Sequence, residues 1–161
     1  SKKLLKKSLS LQHKLIKIFG NEITQGGKII LSKLASIAFK NKMNQEILNG
    51  IMWPEVLLLI DKSMNKQNGE KTNLFIVDAA LIFEGNLNNI LDSVLLIKTE
   101  PNLRKNRAIK RKNISLTEIE KRMELQMDEK DKENLADFVI NNNETNDIFY
   151  REIDKFYKKL L

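Results

Sequence analysis

Three short runs of consecutive apolar residues constrain the fold of this chain more than any other feature of its sequence. They are Leu74–Val77, Val94–Ile97 and Phe138–Ile140, and each run ends in polar residues. Strands that are apolar on both faces are typical of a parallel sheet that is covered by helices on either side. We therefore expect the three runs to be strands of one parallel sheet.

Helical patterns precede and separate these runs. Gly20 is expected to end the first helix, Gly26-Gly27 predicts a turn, and the polar segment Lys62–Thr72 predicts a loop. Strands that alternate with helices in this order predict an α/β fold. The predicted helices are residues 2–19, Leu31–Phe39, Asn44–Met52, Pro54 to about Ser63, Pro101 to about Lys112, one that begins at Ser115 with a capping box completed by Glu118, and one from Ile148 to Leu160.

Composition excludes several kinds of site. The chain has no cysteine, which excludes disulfides and thiolate metal sites, and its one histidine, His13, argues against a structural zinc site. The longest apolar runs, such as Leu57–Ile60, are far shorter than a membrane span, and the lysine-rich first residues lack the features of a signal peptide. We therefore expect a cytoplasmic protein with no membrane partner.

The positive charge lies in the first part of the chain. Residues 1–60 hold 10 lysines against 3 acidic residues, which accounts for the net charge of +7. A basic region indicates an anionic partner, either nucleic acid or a phosphorylated small molecule, although lysines on solvated faces also explain it. Aromatic residues that would stack on bases are few here. We expect no nucleic-acid partner, and a basic RNA-binding module stays open as an alternative.

The five arginines are more informative than the lysines. Arg104, Arg107 and Arg111 lie on one face of the helix that begins at Pro101, with Lys110 and Lys112 beside them. Like charges at helical spacing repel, and a guanidinium grips phosphate in a bidentate way, so this face predicts a polyanionic ligand. The alternative is that Arg107 and Arg111 form ion pairs with the next helix. Its candidate partners are Glu118, Glu120 and Glu124.

Ligands of open parallel sheets bind beyond the carboxyl ends of the strands. This rule selects the segment after Asp78, which contains Glu84, the helix after Thr99, and Asn142 after the third run.

The sequence from residue 107 to 142 resembles the dephospho-coenzyme A kinase family. It contains two arginines of a lid, a Ser-x-x-Glu helix start, Arg-x-x-x-Gln, a lysine and an Ala-Asp-x-Val-Ile-x-Asn ending. Upstream, VDAALIFE (residues 77–84) and the Trp53-Pro54 region are also similar to the family, so the resemblance covers essentially the whole chain. The matching positions are Arg107, Arg111, Ser115, Glu118, Arg122, Gln126, Lys132, Ala136, Asp137, Val139, Ile140 and Asn142.

The resemblance implies a P-loop NTPase-like parallel sheet flanked by helices, with a helical substrate-binding subdomain and a helical lid. It implies that ATP, with Mg²⁺, phosphorylates the ribose 3′-hydroxyl of dephospho-coenzyme A, the last step of coenzyme A biosynthesis. We expect a monomer or a weak homo-oligomer. The implied regions are a coenzyme A-binding region (1–73), core strands (74–100), lid helices (101–126), and the last strand with the C-terminal helix (127–161).

The resemblance also implies roles for particular residues. Arg107 is the catalytic cation that meets the transferring phosphoryl group. Arg111 supports it or holds the ATP phosphates, and Asn142 contacts the adenine side of ATP. Trp53 contacts the substrate. Glu84 contacts the substrate or a magnesium-bound water, unless it only caps the next helix.

The sequence departs from the family pattern at three places. No G-x-x-x-x-G-K-[ST] phosphate loop is present, so we expect a downstream piece of a longer protein that is inactive by itself; a naturally loopless protein is the alternative. Trp53 stands where the family usually has histidine, and Leu31 where it usually has arginine. Another P-loop nucleotide or nucleoside kinase is a further alternative for the function.

Overall fold

A computed structural model of the chain describes residues 2–67, 73–111 and 115–160. The chain divides into two compact units, an N-terminal unit (residues 1–80) and a C-terminal unit (residues 81–161). No helix in these described ranges is both long enough and apolar enough to cross a membrane.

The N-terminal unit begins with two helices, α1 (Lys2–Lys7) and α2 (Leu9–Phe19). The prediction of one helix over residues 2–19 is wrong at Ser8, whose hydroxyl accepts a hydrogen bond from the Leu11 amide at 3.2 Å. Serine favours this N-cap role because its side chain satisfies an amide that has no partner inside the helix. Gly20 ends α2 as expected, with a φ of 81° that suits glycine.

A short hairpin follows, in which β1 (Thr24–Gln25) pairs antiparallel with β2 (Lys28–Ile29). The predicted turn at Gly26-Gly27 is confirmed, since both glycines have positive φ, 57° and 74°. Two-residue hairpin turns of this kind need positive φ at both central positions, which glycine adopts without steric cost. The hairpin leads into α3 (Leu31–Ala38), at the place where a helix is predicted.

The longest helix, α4 (Lys42–Gln67), runs without a break through Pro54. Two separate helices are predicted here, and that prediction is wrong, as is the loop predicted to begin at Lys62. Proline removes one amide donor, the one that would bond the Gly50 carbonyl, but leaves the other bonds of a 26-residue helix in place. Residues 68–72, the remainder of the predicted loop, lie outside the described residues.

An apolar core holds the N-terminal unit together. Helical spacing on α2 directs one face inward, and the side chains of that face meet residues from the short 3₁₀ helix Asn21–Ile23, α3 and α4. Burial of each of these apolar side chains contributes about 1.5–3 kcal/mol to folding. The buried members are Leu11, Leu15, Phe19, Ile23, Leu34 and Met52.

The C-terminal unit contains a parallel pair of strands, β3 (Leu95–Lys98) and β4 (Phe138–Asn141), at two of the three predicted positions. Leu95 lies opposite Phe138 and Lys98 opposite Asn141, so both carboxyl ends meet at one edge. The helices of this unit are α5 (Pro101–Lys110), α6 (Leu116–Glu124), α7 (Glu129–Leu135) and α8 (Asn146–Leu160).

The details of these elements follow their sequence signals. Ser115 and Glu118 form both hydrogen bonds of the predicted capping box at the start of α6. The rings of Phe138 and Phe156 meet edge to face, with centroids 5.0 Å apart, and pack α8 on β4. Parallel strands with flanking helices confirm the predicted α/β class.

The prediction of a third strand is wrong, because Leu74–Val77 is not paired with another strand in the described residues. Ile76 is 76% exposed, and none of the backbone hydrogen bonds described for the chain involves this run. A strand forms only against a neighbour that takes its amides and carbonyls, so apolar content alone does not produce one.

Candidate active site at the carboxyl ends of the strands

The loop after β4 is bound to the end of β3. The Asn142 amide donates to the Lys98 carbonyl at 2.7 Å, and the Thr99 hydroxyl lies 3.4 Å from the Asn142 carbonyl. The amide of Glu100 donates to Asn143 Oδ1 at 2.8 Å, which fixes the start of α5 against the same loop. These bonds bring the first turn of α5 to the sheet edge where ligands of parallel sheets bind.

Arg107 reaches this edge from α5. Its Nη1 donates to the Asn142 carbonyl at 2.7 Å and its Nη2 to the Glu144 carbonyl at 3.3 Å. Two of the five N–H donors of the guanidinium are thereby used. The two predicted residues Arg107 and Asn142 are therefore in direct contact, although 35 positions separate them.

The ion pairs considered as an alternative for Arg107 do not form in the described residues. Glu118 is engaged in the capping box with Ser115, and Glu120 pairs with Lys105 at 2.9 Å. The bonds of Ser115 also hold the pKa of Glu118 below its usual value, since they stabilise the carboxylate. Arg111 lies exposed at the end of α5, one turn beyond Arg107, and Lys112 lies outside the described residues.

Two buried polar atoms near this edge lack a hydrogen-bond partner among the described residues. One is Asn142 Oδ1, and the other is Nε of Arg104, whose Nη1 lies 3.4 Å from Glu129 Oε2. An unpaired buried polar atom costs about 1–3 kcal/mol, so such atoms are uncommon unless a ligand or water completes them. Their position marks the carboxyl end of β4 and the face of α5 as the place for a polar ligand.

An open cleft of about 410 Å³ adjoins the site. Its lining includes Lys98, whose Nζ lies 2.7 Å from Glu133 Oε2; this hydrogen bond raises the pKa of Lys98 above its usual value. Acidic side chains outnumber basic ones in the lining, so the cleft itself does not favour a phosphate group. The lining residues are Lys98, Thr99, Glu100, Pro101, Glu129, Lys130 and Glu133.

Glu84 contacts α7 and the connection that precedes it. Its Oε1 lies 2.9 Å from Lys132 Nζ and accepts a hydrogen bond from the Met127 amide at 3.0 Å. It does not cap the next helix, the short 3₁₀ segment Leu87–Ile90, which is preceded by Asn86 without a side-chain cap. Its Oε2 is buried without a partner among the described residues.

Trp53 lies half-buried on α4 in the N-terminal unit. Its Nε1 is buried and has no hydrogen-bond partner in the described part of the chain. Leu31, the other position that departs from the family pattern, begins α3 and is half-buried. The residues predicted for the site thus fall in both units. Among these predicted residues, Arg107 and Asn142 are in contact, and both belong to the C-terminal unit.

Sequence reasoning missed several residues that build the site. Asn143 and Lys98 hold the start of α5 and the end of β3, and the Asn-Asn pair directly after an apolar run was the available signal. Asp137, noted only as a family position, accepts from the Val94 amide at 2.7 Å and so joins the starts of the two strands. The described residues contain no cluster of three His, Cys, Asp or Glu side chains able to hold a metal ion.

A parallel strand pair with flanking helices, and an arginine-bearing helix at its carboxyl edge, agrees with the class of P-loop NTPase-like folds. Residues 1–147 match the family model described as "CoaE: Dephospho-CoA kinase". The chain belongs to the dephospho-CoA kinase family, and it is a kinase of coenzyme A biosynthesis.

Individual relatives agree with this assignment. The dephospho-CoA kinase of Fusobacterium nucleatum subsp. nucleatum is 31% identical over 148 residues, which cover 91% of this chain and 75% of the relative. The solved structure of the dephospho-CoA kinase from Campylobacter jejuni is similar with a TM-score of 0.62 and 28% identity, covering 99% of this chain and 79% of that one. A Thermus thermophilus protein shares the fold, with a TM-score of 0.75, 22% identity and coverage of 99% and 82%.

Proposed function

We propose that these residues belong to an enzyme that transfers the γ-phosphoryl group of ATP to the ribose 3′-hydroxyl of dephospho-coenzyme A. The observation that carries the proposal is the contact of Arg107 with the Asn142 carbonyl, beside Asn142 Oδ1, which has no partner among the described residues. At one sheet edge, an arginine can bind the charged phosphates of a nucleotide, and an amide oxygen can accept a hydrogen bond from its base.

Arg107 is the proposed catalytic residue. Its two bonds to backbone carbonyls fix the direction of the guanidinium before a ligand arrives, and its remaining donors are the ones that would meet the transferring phosphoryl group. A cation held in this way stabilises charge that develops in the transition state without reorganisation at that moment. Arg111, one turn further along and exposed, is placed to hold the outer phosphates of ATP.

Asn142 is the proposed contact on the adenine side of ATP. Its Oδ1 is an acceptor without a described partner, and the exocyclic amine of adenine is a donor that would complete it. The Asn142 amide and carbonyl are hydrogen-bonded to Lys98 and Arg107, so the backbone that carries this side chain is held at the sheet edge.

Trp53 is the proposed contact for dephospho-coenzyme A. A tryptophan can stack on a base or on pantetheine, and Trp53 Nε1, which has no partner in the described part of the chain, offers one donor. It cannot supply the charge-assisted hydrogen bond that a protonated histidine would give to phosphate. The lysines of residues 1–60 supply a positive field for an anionic substrate. Direct contact of Glu84 with the substrate stays a prediction.

Mg²⁺ accompanies ATP in this proposal as the ion that neutralises the phosphates. We assign it no ligand from this chain, because the described residues form no metal-ligating cluster. We place the enzyme in the cytoplasm, as a monomer or weak homo-oligomer. The 161 residues contain no phosphate-loop motif, so we expect them to be inactive by themselves.

Two versions of the protein test the function. One is the 161-residue chain, and the other carries the same residues joined to a phosphate-loop segment from a relative. We expect ATP-dependent formation of coenzyme A from the second and none from the first, because only the second has the loop lysine and amides that hold the phosphates. Coenzyme A formed by the 161 residues alone would contradict the inactivity. Transfer to nucleosides or nucleotides instead of dephospho-coenzyme A would favour a nucleotide kinase.

A further inference from the structure

The carboxylate of Glu84 joins two parts of the C-terminal unit that are 43 positions apart in the chain. Lys132 Nζ and the Met127 amide both lie within hydrogen-bond distance of the same oxygen, Oε1, at 2.9 and 3.0 Å. The Glu84 and Lys132 side chains are only 15% and 12% exposed, which makes this the most buried of the ion pairs described. Exposed ion pairs contribute little to stability, whereas removal of one partner from a pair shielded from water leaves an uncompensated charge at a large cost. The Glu84–Lys132 pair is of the second kind.

Met127 lies between the end of α6 and the start of α7. The helix pair α5 and α6 is called the hairpin, and Met127 follows its second helix. The hairpin is tied within itself by the Lys105–Glu120 pair, so its two helices form one piece. Its first residues are held to the loop after β4 through the Glu100 amide and Asn143, and Arg104 reaches across to Glu129 at the other end. Asn143 therefore anchors the start of the hairpin, before α5, and Glu84 anchors its end, after α6. These two ends are called the first and second roots of the hairpin.

We propose that Glu84 and Lys132 are positioning residues that fix the second root of the hairpin and thereby hold Arg107 over Asn142. The importance of this for turnover rests on the proposed function, whereas the anchoring itself does not. Each charge neutralises the other, and the Met127 amide, which would otherwise have no partner, is satisfied by the same oxygen. With Oε1 shared between these two donors, Glu84 acts on Arg107 through Met127 and the hairpin. Contact of its other oxygen, Oε2, with the substrate is the competing role that the test separates from this one.

Three variants test the anchoring. Glu84→Gln keeps an acceptor for the Met127 amide but leaves the Lys132 ammonium unpaired and mostly buried. Lys132→Met removes the ammonium and leaves the carboxylate unpaired. The double variant Glu84→Gln with Lys132→Met keeps the acceptor and removes both charges, so it restores neutrality without the ion pair. Glu152→Gln is the matched control, since Glu152 pairs with Lys155 at 2.7 Å on the exposed surface of α8.

Hydrogen exchange and steady-state kinetics are the two measurements. In each single variant we expect the amides of residues 125–129 to exchange about tenfold faster or more, because the root opens locally. In the version that carries a phosphate loop, kcat should fall while KM for dephospho-coenzyme A changes little. The double variant should recover most of both effects, and Glu152→Gln should change neither.

Three outcomes would overturn the proposal. The first is a rise in KM for dephospho-coenzyme A with unchanged exchange, which would make Glu84 a substrate contact. The second is a single variant with unaltered exchange and kcat. The third is a double variant no better than the singles. If the unmodified protein with a phosphate loop fails to phosphorylate dephospho-coenzyme A, the proposed function fails, and exchange still decides the anchoring. Should one single variant not fold, the other single variant compared with the double variant gives the same decision.

Discussion

Each of the two units of this chain is stabilised internally by a different kind of contact. In the N-terminal unit, Leu11, Leu15 and Ile23 are fully buried in one apolar cluster. In the C-terminal unit, Leu87 is the one large side chain buried to that degree, and α5, α7 and α8 contain no buried residue among those described. All five of the ion pairs described lie in that unit.

The difference matches the role that we propose for each unit. An apolar core gives stability without direction, because burial depends on area rather than angle. Hydrogen bonds and ion pairs contribute less net stability but depend on distance and angle, so they fix where a side chain points. The unit with Arg107 and Asn142 therefore uses polar contacts where position matters, and the unit with the basic charge and Trp53 relies on packing.

The largest effect on stability is expected in the apolar core. Leu15→Ala removes a side chain that is 0% exposed and should cost about 2.7–5 kcal/mol, the transfer term plus the cavity that remains. Leu9→Ala is the control on the same helix, because Leu9 is 69% exposed and should change stability by less than about 0.5 kcal/mol. Denaturant unfolding of both variants measures the difference. Equal costs would show that the cluster does not hold this unit.

The next effect separates positioning from stability in the C-terminal unit. In a version with a phosphate loop, Arg107→Ala should lower kcat by about 10²–10³, or roughly 2.7–4 kcal/mol of transition-state stabilisation. The unfolding midpoint should change far less, because the lost bonds go to carbonyls near the surface. Arg151→Ala is the control, since Arg151 is exposed on α8 and bonds the Asp147 carbonyl of its own helix. A raised KM with unaltered kcat would mean that Arg107 only binds the ground state.

The smallest effect concerns a local polar contact that the sequence itself announces. Ser115→Ala should destabilise the start of α6 by about 1 kcal/mol, because the Glu118 amide loses its acceptor. Ser63→Ala is the control inside α4, where the serine hydroxyl only donates back to the Leu59 carbonyl. Denaturant midpoints of both variants at neutral pH give the comparison. A larger loss at Ser63 would contradict the capping role.

The same cap has a pH dependence with a defined sign. Hydrogen bonds from Ser115 lower the pKa of Glu118 below its usual 4.5 in the folded chain. Their contribution is therefore fully present above pH 4.5 and is lost as the pH falls through the lower, folded pKa. Ser115→Ala should reduce this acid sensitivity, which unfolding midpoints on both sides of that window would reveal. The Ser115 amide, which is the larger cause of the lowered pKa, remains in the variant, so only part of the acid sensitivity should be lost. An unchanged pH dependence would exclude the Ser115 hydroxyl as a cause.

Local signals predicted most of the elements but not their exact limits. Gly20, Gly26 and the Ser115 capping box behave as their residue types require, since each acts within three or four positions of itself. Ser8 also acts locally, and its N-cap role was overlooked because the apolar periodicity continues across it. Pro54 does not end α4, because the loss of one amide donor leaves the other hydrogen bonds of a 26-residue helix in place.

For the candidate site, the residue types came from the sequence and the contacts did not. The arginine face and Asn142 were recognised from spacing and from the family resemblance, which the match over residues 1–147 confirms. That Arg107 rests on the Asn142 carbonyl rather than on the carboxylates of α6 could not be predicted. Several acceptors lie within the reach of an arginine, and only the path of the chain selects one.

The sequence by itself determined the elements whose cause is local: helix periodicity, caps, the glycine turn, and the ordered motif that identifies the family. The tertiary structure decided which distant residues meet, such as Arg107 with Asn142 and Glu84 with Met127, and whether an apolar run becomes a strand. Val94–Ile97 and Leu74–Val77 are equally apolar. Among the described residues, the first run contributes to a strand that pairs with β4, and the second has no partner strand. The physical reason is that strand pairing and long-range hydrogen bonds need a second group at a defined distance, which no local pattern supplies.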